Sequence, residues 1–338
     1  MTASIKPFAS SGMIMIMGRI TVFLLVLFSF GVPSASAQFG SSDQSLLADS
    51  SNLSVVLEPE LPEPNQTYTA SVPTYGRVAG AGITWFYNGS EIPDSKNSNQ
   101  VTLVAPEDGE TDNLVVVFNQ TDNEIVIEKP VRPRYLDIII EPQTHVPSFY
   151  LGRPLASIGS TVNATAILSG EESPANLIYT WRNGREVIGG GSLRGNDAIS
   201  FEVGWDRNII LDLTITNLAG EPIAKKYVVV PSVSPVVKFY ESSSLLGLNN
   251  RSIGDTLNLI GNSTVIKAEP YYLDSRVYNS PSILEWSIDR VDYPVNQSNP
   301  YEVTLQKNDS AGTSQLNFHV RDTNQVLQGV RANLNINI

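Results

Sequence analysis

Three of the chain's four tryptophans stand in matching surroundings, and their separation limits what the chain can fold into. Trp85 lies in Ile83-Thr84-Trp85-Phe86-Tyr87-Asn88-Gly89, Trp181 in Tyr179-Thr180-Trp181-Arg182-Asn183-Gly184, and Trp286 in Leu284-Glu285-Trp286-Ser287-Ile288-Asp289. They are 96 and 105 residues apart, the spacing of β-sandwiches of about 100 residues repeated head to tail. Downstream of each comes an alternating run: Leu114, Val116 and Phe118; Leu211, Leu213 and Ile215; Leu316, Phe318 and Val320. Period-two alternation means a strand with one face buried and one wet. In the first unit Val115 and Val117 make the outer face apolar as well. From tryptophan to last inward residue the distance is 33, 34 and 34 residues, too constant for coincidence.

After each alternating strand a polar turn (119–123, 217–220, 322–325) leads into another β-rich run (124–128, 223–230, 326–338). Ahead of each tryptophan two strands are predicted: 53–57 and 67–72, 135–140 and 161–168, 236–240 and 256–266. Two of the second strands open alike, with Ile158-Gly159-Ser160-Thr161 and Ile253-Gly254-Asp255-Thr256. Short strands punctuated by Gly, Pro, Asn and Asp predict an all-β chain. No stretch beyond residue 37 carries a 3.6-residue apolar period, so almost no helix is expected.

The aromatic-x-Trp strand, the Asn-Gly that follows it at Asn88-Gly89 and Asn183-Gly184, and the final hairpin resemble the immunoglobulin-like sandwiches. They are similar in particular to the PKD-type domains of bacterial and archaeal surface proteins. At Trp286 Asp289-Arg290 replaces the Asn-Gly turn, and neither the acidic PKD signature run nor an immunoglobulin disulfide is present. The resemblance implies three tandem sandwiches, at 52–130, 131–232 and 233–338. Each tryptophan is then core filler bridging two sheets.

The first 37 residues predict an export signal: Lys6 and Arg19, an apolar run at 20–32, and Ser34-Ala35-Ser36-Ala37 as a cleavage site. Met13, Met15 and Met17 are alternative starts. An uncleaved anchor would need ~20 apolar residues, more than this run offers. Residues 38–51 are small and polar and predict a disordered lead-in. Beyond residue 37 no second apolar run is long enough to span a membrane. The expected location is secreted or on the cell surface, with the periplasm as a further option.

Charge and composition exclude several functions. The formal net charge is −12, with 34 acidic against 22 basic residues; removing Lys6 and Arg19 with the signal makes it −14. That sign disfavours nucleic acid as a partner. With no cysteine there are no disulfides and no thiolate chemistry. Of the two histidines, His145 follows a first strand and His319 points outward from an alternating one. No G-x-S-x-G elbow occurs. No catalytic residue and no cofactor are assigned, and an enzyme is not expected.

Four features remain as candidate contacts. The turn Pro106-Glu107-Asp108-Gly109-Glu110-Thr111-Asp112-Asn113 offers hard oxygen ligands for calcium, with an ordinary solvated hairpin tip as the alternative. From the Ile-Gly-x-Thr threonine to the tryptophan is 20 residues in the second unit and 30 in the third. The excess includes 268–282, with Tyr271, Tyr272 and Tyr278, and Tyr293 follows the tryptophan. These rings either stack on a ligand, a sugar above all, or cover the unit's own core. Trp205, outside the repeat, is a candidate exposed ring. The Gly-rich 188–192 predicts a loop tip.

Nine N-x-S/T sequons (Asn52, Asn65, Asn88, Asn119, Asn163, Asn250, Asn262, Asn296, Asn308) agree with a wet exterior. The joints are expected at 128–135 and 230–236, where Pro130, Pro133, Pro231 and Pro235 favour stiff connections. The chain is therefore expected to be a non-catalytic rod that spaces, adheres or assembles, with a protein or glycan partner at the cell surface. The alternative is a carbohydrate-binding accessory using the third unit's tyrosines. The last strand is a candidate for pairing with another chain's edge.

Overall fold

A computed structural model describes residues 53–120, 123–170, 172–206, 208–243, 245–307 and 312–338. The export signal at 1–37 and the lead-in at 38–51 lie outside them. The described chain is built from strands in three successive two-sheet units.

The first unit contains β1 (Val56–Glu58), β2 (Thr67–Ser71), β3 (Gly82–Tyr87), β4 (Ser90–Glu91), β5 (Gln100–Val104), β6 (Asp112–Asn119) and β7 (Glu124–Val131). Its sheets run β1-β2-β5 and β4-β3-β6-β7. The second contains β8 (Leu136–Pro142), β9 (Ala156–Ser157), β10 (Thr161–Leu168), β11 (Ile178–Asn183), β12 (Glu186–Arg194), β13 (Ala198–Glu202), β14 (Asn208–Thr216) and β15 (Pro222–Val233). Its sheets run β13-β10-β8 and β12-β11-β14-β15-β9. The third contains β16 (Val236–Ser243), β17 (Gly247–Leu248), β18 (Thr256–Asn258), β19 (Ser263–Tyr271), α1 (Ser275–Asn279), β20 (Ile283–Ile288), β21 (Val291–Tyr293), β22 (Glu302–Gln306), β23 (Thr313–Arg321) and β24 (Gly329–Asn337). Its sheets run β17-β16-β19-β22 and β18-β24-β23-β20-β21.

The tryptophan repeat is the core of all three units. Trp85, Trp181 and Trp286 are buried on β3, β11 and β20, opposite Val116, Leu213 and Phe318. Each indole N–H donates, at 2.9 Å, to a carbonyl in the segment leading to the next strand: Ser98, Asn196 and Pro300. A buried indole needs such an acceptor, and meeting the need the same way three times marks the three positions as equivalent. The alternating residues face inward as expected: Leu114, Leu211, Leu213, Ile215, Leu316 and Val320 are fully buried. The fold is thus all-β, three tandem immunoglobulin-like sandwiches.

Several local expectations change. The hairpin after each tryptophan strand has a two-residue loop at the same offset: Asn88-Gly89, Gly184-Arg185 and Asp289-Arg290. Asn183 is therefore the last strand residue and not the partner of Asn88. The run 256–266 is two strands, β18 and β19, in different sheets. Thr256 and Thr161 are then not equivalent, and most of the apparent ten-residue excess before Trp286 is β18 together with the turn that leads from it into β19. Residues 188–192 are no loop tip but a bulged stretch of edge strand β12, where Gly189, Gly190 and Gly191 all take left-handed φ. The final strand β24 pairs along its length with β23, and at Asn335–Asn337 also in parallel with β18, so both edges are taken at its end. The run 230–236 is mostly strand: β15 extends to Val233, its last residues pair with β9, and Ser234 and Pro235 alone separate it from β16.

Candidate functional site

The richest side-chain chemistry among the described residues lies where the second and third sandwiches meet, and three of the four sequence-selected tyrosines are part of it. β19 ends at Tyr271; the chain then turns through Tyr272, at φ +62°, into α1. On the other side, the segment after β8 carries Gln143 to Tyr150 across the joint. Main-chain bonds tie the two together: His145 N donates to Leu273 O (2.6 Å), Tyr272 N to His145 O (2.8 Å) and Ser275 N to Gln143 O (2.9 Å).

Asp274 is the centre of this seam. Its carboxylate is buried, caps α1 by accepting from Arg276 N (2.8 Å), and accepts from Thr161 N of the second sandwich (3.0 Å). The Arg276 guanidinium pairs with it at 2.9 Å. Burial raises this carboxyl, but the Arg276 bonds and the Thr161 amide outweigh it and hold it below its ordinary value. Gln328, fully buried, closes the ring: its Oε1 accepts from Asp274 N (2.8 Å) while its Nε2 donates to Ser157 Oγ (3.0 Å) and Ile158 O (2.6 Å).

An aromatic column lies beside the seam. The Tyr278 ring is held between His145 (3.4 Å, 6° between planes) and Tyr301 (4.6 Å, 19°). Burial, with Glu269 nearby, pushes its hydroxyl up to about 12. His145 Nε2 lies 3.2 Å from Glu269, a buried carboxylate that also pairs with Lys267 at 2.5 Å. Burial raises Glu269, and the His145 and Lys267 contacts more than reverse that. Tyr271 is buried, sharing a hydroxyl bond with Tyr240 (2.6 Å) and an edge contact with Tyr150. The Tyr272 hydroxyl meets that of Tyr150 at 2.8 Å. Tyr293 stands apart on β21, half-buried against the third core, its hydroxyl donating to Thr304 O. Tyr278 therefore has its ring stacked on other rings of this chain, and Tyr271 is buried with edge contacts to Tyr150 and Tyr272.

The acidic turn sits at the first joint. Asp108 accepts from Tyr135 N (3.0 Å) and Ser169 Oγ (2.5 Å) of the second sandwich, and those bonds, Ser169 first, hold it below its ordinary value. Asp112 is held by Tyr87 Oη and Asn88 Nδ2, leaving Glu107 and Glu110 exposed. Among the described residues no group of three or more His, Asp or Glu is placed to hold a metal ion. Lys226 adds contacts to Glu63 (3.6 Å) and Asp137 (3.7 Å), beside a cleft of about 710 Å³ walled by both sandwiches. Trp205 is 75 % exposed between β13 and β14. His319 lies on the outer face of β23, 3.2 Å from Glu285.

The sequence singled out the tyrosines but not their partners. Gln328, His145 and Thr161 reach the seam from 54 to 124 residues away, a separation no local pattern spans. Only Asp274 and Arg276 lie close together in the sequence, and an acidic residue two positions before an arginine is too common a pair to mark a site.

A scan against protein-family models finds no match, and no curated protein matches in sequence. Similar solved structures include three N-terminal domains of the bacteriophage RB49 Highly Immunogenic Outer Capsid protein (Hoc), at 11 % identity and TM-score 0.25 over 84 % of this chain and 97 % of that one. A three-Ig fragment of titin matches at 12 % and 0.20 over 82 % and 93 %. A Bacteroides ovatus SGBP-B from a mixed-linkage glucan utilization locus, solved with a heptasaccharide, matches at 12 % and 0.21 over 86 % and 67 %. The sandwich assignment rests on the strand pairing itself. No helix of the described residues is long and apolar enough to cross a membrane.

Proposed function

We propose that this chain is a non-catalytic, exported structural module: a spacer of immunoglobulin-like sandwiches, of the PKD-like kind found on bacterial surfaces, that holds its outer faces at fixed positions for a partner. The observation that carries this is the seam centred on Asp274. A buried carboxylate, a buried amide and three main-chain bonds join sandwiches two and three. A joint built this way resists bending, and stiffness is what a spacer requires. The titratable groups best suited to catalysis have structural partners instead: His145 is stacked and bonded to Glu269, and His319 is bonded to Glu285.

Small-angle scattering of the chain without residues 1–37 tests the proposal. A maximum dimension near three sandwiches end to end is expected. A value close to that of a compact sphere of the same mass would reject it.

A further inference from the structure

The outer face of the third sandwich's larger sheet differs from the rest of this acidic chain, and it bears a groove of about 600 Å³. Cross-strand register arranges its side chains in rows. Glu285, His319 and Arg331 form one row across β20, β23 and β24, and Asp292, Ser287, Asn317 and Asn333 form the next, from β21 to β24, with both carboxylates on the β20–β21 side and Arg331 on the other. The rows are roughly 7 Å apart along the strands. At the far end Arg290 closes the groove.

Three observations point to a ligand. First, the amides of Asn317 and Asn333 bond to no other described residue, and each presents a donor and an acceptor in a fixed plane. Paired donors and acceptors are what neighbouring sugar hydroxyls match. Second, Glu285 contacts His319, while Arg331 and Arg290 form no ion pair with a described residue. Two unpaired guanidiniums flank the amides, and a guanidinium fork suits a carboxylate. Third, Arg290 occupies the second position of the hairpin loop at φ +70°, where the first sandwich has Gly89 at +80°. A side chain there is strained, and in this hairpin an arginine takes the place of the unstrained glycine at the mouth of the groove.

We infer that this face binds an acidic oligosaccharide, its hydroxyls on Asn317 and Asn333 and its carboxylates on Arg331 and Arg290. The inference goes beyond the spacer proposal and does not depend on it. Solid-phase binding of the chain to polygalacturonate, alginate and a neutral β-glucan tests it, at about 0.15 M salt and again at higher salt. Binding to at least one acidic polymer, weaker at high salt and absent for the glucan, is expected. Arg331→Ala and Arg290→Gly should each weaken it about tenfold, the loss of one charge-assisted hydrogen bond. The Asn317→Ala/Asn333→Ala double variant should abolish it while its circular dichroism stays unchanged. Asp274→Ala, which loosens the joint, should leave binding intact and so separates this failure from that of the spacer. No binding to either acidic polymer, binding to the glucan alone, or full binding by the variants would overturn it.

Discussion

At the residue scale, the tryptophans act through their ring nitrogen as well as their bulk. Each indole fills a core and anchors the segment that leads to the next strand, so two constraints meet in one side chain. Trp181→Ala should cost about 3–5 kcal/mol in urea unfolding, and Trp181→Phe less, mainly through the orphaned Asn196 carbonyl. Arg290 carries the opposite lesson. Its left-handed backbone is a cost that glycine would remove, so Arg290→Gly should raise unfolding stability by about 1 kcal/mol. A substitution that stabilises the fold while weakening polysaccharide binding would separate the two demands on that position; a loss of stability would show that the arginine serves the fold.

At the scale of elements, the second seam depends on ionised carboxylates. Asp274 and Glu269 both titrate below their ordinary values of 3.8 and 4.5 in the folded chain. A group lowered by folding stabilises the native state above its unfolded value and loses that contribution as pH falls through the folded one. The seam should therefore be fully stable at pH 6 and weaken below about pH 4. Hydrogen exchange at the Thr161 amide, which donates to Asp274, reports this directly: protection should fall in acid ahead of that in the strand cores. Asp274→Ala should remove it at neutral pH at a cost on the order of 2 kcal/mol. Unchanged protection in that variant would mean that Gln328 and the main-chain bonds suffice.

For the molecule as a whole, the two joints are built differently. The first rests mainly on exposed or half-exposed contacts around Asp108 and Lys226, with the buried Arg134 bonded at 3.5 Å to Ser169 O and Glu172; the second rests on a buried carboxylate and a buried amide with shorter bonds. Calorimetry of the full chain should therefore show the first sandwich melting separately, with the second and third melting together. Asp274→Ala should split that shared transition. Much of this architecture was legible beforehand, because burial imposes a period of two on strands and a large ring on each core, and both leave marks within a few residues. The class of fold, the number of sandwiches and their inward-facing residues follow from those marks. The seam and the groove do not. His145 meets Glu269, Gln328 meets Ser157, and Glu285, His319 and Arg331 share one row only after sheets pair and sandwiches abut. Sequence determined what each unit buries, since hydrophobic periodicity is local; tertiary structure alone decided which exposed and joint-facing side chains meet, since their contacts join residues far apart along the chain.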